Sequence, residues 1–118
     1  MDLPTAVKSY QFGERAKSEL IVVSHLCMAL SSFPDTQKSG GKKMLLLLME
    51  QVRTEVVFAE KSTGVKDFGK AVNAINEAIS LVEGDRPEQA AEKLALAISA
   101  STTPAQNAWQ VLSEHGLL

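Results

Sequence analysis

The chain has 118 residues, 22% of them charged, a net charge of −2 and one cysteine. That length suits one domain, here taken as residues 1–118, and needs no disulfide or metal to fold; Cys27 alone excludes an internal disulfide and fits a reducing compartment. The basic excess or basic face of a nucleic-acid binder is missing: residues 1–43 hold six Lys/Arg against four Asp/Glu and residues 44–118 six against ten, too mild an asymmetry to name a partner.

The first residues, MDLPTAVKSYQ, lack the basic start and apolar run of a signal peptide. A first helix is expected from about Pro4 to Leu30. Pro4 suits the first turn, where a missing N–H costs nothing, and Gly13 weakens the helix by about 1 kcal/mol relative to Ala. A core stripe is drawn through Phe12, Ala16, Leu20, Val23, Leu26 and Leu30. Ile21, Val22, Cys27, Met28 and Ala29 are left around the rest of the circumference. LIVVSHLCMAL, Leu20 to Leu30, is the longest apolar-rich run, and at eleven residues it falls short of the roughly 20 a membrane span requires. A soluble cytoplasmic protein is expected.

SSFPDTQKSGG, Ser31 to Gly41, reads as the longest loop, with one Pro, two Gly and small polar residues. A second helix is expected from about Lys42 to Ser62, ended by Gly64. It opens on MLLLLM, six consecutive apolar residues. A stripe through Leu45, Leu48, Val52, Val56 and Ala59 serves the core, and Met44, Leu46, Leu47, Met49, Val57 and Phe58 remain. The third helix, Lys66 to Glu83, is amphipathic, with Phe68, Val72, Ile75, Ile79 and Val82 on one face. Asp85 and Glu88 suit a capping box for a fourth helix. TPAQ opens a fifth segment with Thr103 as cap, Pro104 in the first turn, and Ala105, Ala108, Trp109 and Leu112 inward; Gly116 ends it. The fourth and fifth segments together match one long helix bent near Pro104. No strand pattern appears. The expected fold is all-α: an antiparallel up-down four-helix bundle, its fourth helix broken near Pro104 into two segments. GDRPEQAAEKLALAISASTTP resembles the second helix of a tetratricopeptide repeat at Gly84, Ala90 and Ala97. The preceding helix lacks that repeat's aromatic and glycine positions and no second copy follows, so small residues at a helix crossing account for the likeness.

A helix that is apolar all round is usually buried all round. The excess on the first helix lies in its C-terminal half (residues 20–30) and that on the second at its N-terminus (residues 44–49). Antiparallel packing brings the two together at one end. The expected function is therefore a non-catalytic protein–protein interaction module, a homodimer or a subunit of a helical assembly, with Ile21, Val22, Met28, Leu46, Leu47 and Met49 at the interface. The expected partner is a second copy or another helical protein, not nucleic acid or a membrane.

The alternative is a ligand-binding or enzymatic bundle with a pocket near His25 and an anion at Gly40, Gly41, Lys42 and Lys43. Two glycines before a helix start offer free N–H groups to a phosphate. The motif G-x-x-x-x-G-K-[ST] between strand and helix is absent, however, and Met44 stands where the hydroxyl is required; a flexible loop with solubilising lysines explains KSGGKK more simply. His25 and Cys27 point about 200° apart on a helix and cannot share a metal. No Glu-x-x-His occurs, so neither a metal nor a cofactor is expected. Glu50, Glu55 and Glu60 spread round their helix, and Cys27, with no cation within a turn, reads as an inert buried thiol.

Overall fold

The computed structural model describes all 118 residues. It contains four helices and no strand: α1 (Leu3–Ser31), α2 (Asp35–Thr63), α3 (Lys66–Glu83) and α4 (Pro87–Glu114). Asp2 caps α1, its carboxylate accepting from the Thr5 N–H at 2.8 Å, with Pro4 in the first turn. Gly64 ends α2 in the left-handed region at φ 70°, where a side chain would be strained. At the next turn Asp85, not Gly84, takes the positive φ of 60°, and the Arg86 N–H closes α3 on the Leu81 carbonyl at 2.8 Å. Arg86 then occupies the N-cap of α4, and neither Asp85 nor Glu88 forms the expected capping box.

Two boundaries differ from the sequence expectation. The predicted loop over Ser31–Gly41 shrinks to three residues, because α2 begins at Asp35, directly after Pro34. Gly40 and Gly41 cost the helix propensity, but the Phe33 ring lies over Gly41, where a β-carbon would stand 2.7 Å from it. The added turns make α2 as long as α1, 29 residues each. Pro104 is the second difference. It lies buried inside one continuous helix, not between two segments. Proline removes one N–H and crowds the carbonyl four residues back. In the preceding turn the Thr102 and Thr103 hydroxyls donate to the carbonyls of Ile98 and Ser99, at 2.7 and 3.1 Å, so Thr103 serves the existing helix and caps no new one.

Contacts between helices run antiparallel. On α1 and α2, Phe12 meets Phe58 and Arg15 meets Glu55. On α2 and α3, Arg53 bonds Asn76 and Lys42 bonds the Glu83 carbonyl. On α1 and α4, Ala6 packs with Ala108 and Leu112, and Gly13 meets Ser101 and Ala105. The buried residues of α1 are Ala6, Ser9, Gly13, Ala16, Leu20, Val23, Cys27 and Leu30, in alternating steps of three and four. Leu45, Met49, Val52, Val56 and Ala59 of α2 keep the same rhythm. This is the 3.5-residue repeat of coiled-coil packing.

Along α1 the seam changes size. Its first half is small (Ala6, Ser9, Gly13, Ala16) and its second half large (Leu20, Val23, Cys27, Leu30). The large half joins a main core contributed by all four helices, while Ala6, Ala108 and Leu112 form a separate cluster from α1 and α4 alone. α3, with 18 residues, spans roughly 27 Å at 1.5 Å per residue, too short to follow α1 along its length. The molecule accordingly measures 54 × 22 × 18 Å.

Candidate functional site: the α1/α2 face

The seam residues explain where the MLLLLM run points. Met49, not Leu48, continues the core stripe to Val52: Met49 is 1% exposed and Leu48 36%. One residue of shift rotates the stripe by about 100°. On α1, likewise, Cys27 is buried and Leu26 is 42% exposed, the reverse of the expected stripe. Met49 therefore belongs to the core and not to an interface. Leu46 is half-buried and packs against the same core. Ile21, Val22, Met28 and Leu47 are exposed, as expected for surface positions.

These four do not share one face. Phe12, Arg15, Glu19, Val22, Leu26, Ala29 and Phe33 follow one another in steps of three and four, a second seam beside the buried one. Gly41, Met44, Leu48, Gln51, Glu55 and Phe58 do the same on α2. The two second seams flank the joint between α1 and α2, because three contacts pin them together. The Phe12 and Phe58 rings meet edge to face with centroids 5.8 Å apart. Arg15 donates to Glu55 at 2.7 Å and to Glu19 at 2.8 Å. Phe33 covers Gly41. Between the ion pairs and Phe33 lie Val22, Leu26, Met44 and Leu48, all exposed, with Leu47 one turn from Met44 at the margin. Val22 and Leu47 thus belong to this apolar face. Ile21 and Met28 do not: with Glu14 they recur every seven residues, and Glu14 stands beside Ala105 and Trp109 on the α4 side. Leu26 and Leu48, expected in the core stripes, belong to this face, as does Met44 from the apolar excess at the start of the second helix. Their signal was the second 3–4 repeat, visible in the sequence once the first is placed correctly.

The charged part of the face is acid-rich. Hydrogen bonding to Glu19, burial and repulsion from Glu19 push the Glu55 carboxyl above its ordinary range, against the opposing pull of Arg15. Glu55 Oε2 is buried with no hydrogen-bond partner.

The anion alternative meets a different geometry. Gly40 and Gly41 lie inside α2, past its first turn, where N–H groups belong to the helix ladder. Lys43 is exposed, and Lys42 donates to the Glu83 carbonyl at 2.8 Å and to Asp85 at 3.0 Å. Lys42 does border a cleft of about 710 Å³ at this end of the bundle, but its cations Lys38, Lys42 and Arg86 are matched by Asp35, Asp85 and Glu88. His25 is exposed and lies outside that cleft. No group of three or more His, Cys, Asp or Glu is placed to hold a metal ion. No helix is long and apolar enough to cross a membrane. Comparison with protein-family models, curated proteins and solved structures finds no match.

Proposed function

We propose that the chain is a non-catalytic helical interaction module that pairs with a second copy of itself through the α1/α2 face. The observation that carries this reading is the second seam, whose outer half (Val22, Leu26, Met44 and Leu48) is 36–69% exposed. A contiguous apolar patch of several hundred Å² is uncommon on a monomer's free surface. Large apolar side chains at a 3.5-residue repeat offer ridges and grooves that suit another helix pair of the same repeat. A two-fold interface needs a patch that complements itself, and an apolar face does so without charge conflict. Phe33 and Leu47, 40% and 56% exposed, extend the patch at its margins.

Light scattering tests the pairing. At tens of micromolar the expected mass is twice the 12.7 kDa of one chain. Leu26→Glu and Leu48→Glu are expected to halve the particle while helical circular dichroism stays intact. Each buried leucine contributes roughly 1.5–3 kcal/mol, counted twice across a two-fold axis. A wild-type monomer at that concentration overturns the reading.

A further inference from the structure

Trp109 was expected to turn inward with Ala105, Ala108 and Leu112, yet it is 52% exposed while those three are buried. It is the only tryptophan in the chain. The cause lies in the small half of the α1/α4 seam. Gly13 and Ala105 let the two backbones approach closely, and the buried positions along α4 include the small residues Ser101, Ala105 and Ala108. The larger side chains stand beside the seam instead. Tyr10 and Glu14, one turn apart on α1, face Ala105, Gln106 and Trp109 of α4 across a recess of about 240 Å³. Ala105 is buried at its floor, and Tyr10 is half-buried against the small cluster.

The lining has a definite chemistry. It holds two aromatic rings and one carboxylate, with one neutral amide and no cation. Lys17 lies outside the lining and forms a partly exposed ion pair with Glu14 at 3.5 Å, which a bound cation would displace. Aromatic rings attract cations through the negative potential of their faces, and tryptophan does so most strongly. A carboxylate beside them repels anions and favours a positive charge. The volume falls below the ~300–1,000 Å³ typical of sites for drug-sized ligands, which suits a compact head group.

We infer that this recess binds an alkylammonium group, with Tyr10 and Trp109 as aromatic walls and Glu14 as counter-charge. The inference is independent of self-pairing, since α2 contributes nothing to the recess. The shared chemistry is a methylated ammonium, supplied either by a free solute such as choline or by a methylated lysine side chain.

Because Trp109 is the sole indole, its fluorescence reports directly on the site. The wild-type protein is titrated with choline chloride, with N-acetyl-trimethyllysine amide and with 3,3-dimethyl-1-butanol, the neutral isostere of choline. A saturable change in emission is expected with at least one of the two cations and none with the neutral alcohol, and the tighter cation identifies the source. Glu14→Gln and Tyr10→Leu are each expected to weaken binding at least about threefold, the loss that a cation–π or carboxylate contact of moderate strength implies. Tyr10→Leu keeps apolar bulk against the small cluster, and circular dichroism verifies its fold. Absence of a saturable change up to tens of millimolar overturns the inference. So does an equal response to the neutral alcohol, or undiminished binding in both folded variants.

Discussion

A β-carbon added to Gly13 would stand 2.8 Å from the β-carbon of Ala105 and 2.8 Å from the Ser101 carbonyl oxygen. Neither neighbour is a flexible side-chain tip, so α1 and α4 would have to separate. The helix-propensity cost of Gly13 is thus offset by a close α1/α4 approach, beside which Trp109 stands at the surface.

The first prediction contrasts two glycines. Gly13→Ala is expected to destabilise by about 1–3 kcal/mol through overpacking, after the gain of about 1 kcal/mol in helix propensity is spent. Gly40→Ala meets nothing within 4 Å and is expected to gain up to about 1 kcal/mol. Urea unfolding of both variants checks the pair, and equal effects would contradict the close approach.

Ser9 and Ser101 are fully buried, and neither hydroxyl has a hydrogen-bond partner. Removing a buried hydroxyl that makes no bond relieves its desolvation cost. Ser9→Ala and Ser101→Ala are each expected to be neutral or to stabilise by about 1 kcal/mol. A loss of more than that in thermal unfolding would show that the hydroxyls are satisfied in solution.

Cys27 is fully buried, and burial pushes its thiol pKa up to about 11. The folded state thus favours the neutral thiol. The resulting stability is fully present below the unfolded thiol's pKa, near 9, and is lost as pH rises towards 11. At about 1.4 kcal/mol per pKa unit, the loss is of order 2–3 kcal/mol. Wild type compared with Cys27→Ala over this range isolates it from the lysines and Tyr10: the two stability curves should converge as pH rises. Native labelling by a thiol reagent at neutral pH is expected to be slow and to become fast in denaturant.

Met49 and Leu48 are adjacent in sequence but opposite in role. Met49→Glu places a charge in the main core and is expected to cost at least about 3 kcal/mol and much of the helical signal. Leu48→Glu is expected to leave the fold of a single chain intact. Equal unfolding by both, followed by circular dichroism, would place Leu48 in the core after all.

The four-helix, all-α fold was legible in the sequence because helix signals are local. The boundaries of α3, the cap at Gly64 and the left-handed Gly116 follow from glycine conformation and 3.6-residue periodicity within a few residues. So does the coincidence of two apolar excesses at one end of α1 and α2, which needs only antiparallel packing. Three things were decided by tertiary structure. The register of MLLLLM could not be chosen locally, since six apolar residues satisfy a stripe at any rotation, and only packing against the other helices selects Leu45 and Met49. The Ser31–Gly41 segment carries loop composition, yet its residues from Asp35 onward are helical, with the Phe33 ring packed over Gly41. The α1/α4 approach at Gly13 and Ala105 made a helix-weakening glycine into a packing position, with Trp109 outside beside it, because helix separation depends on pairs of residues distant in the chain.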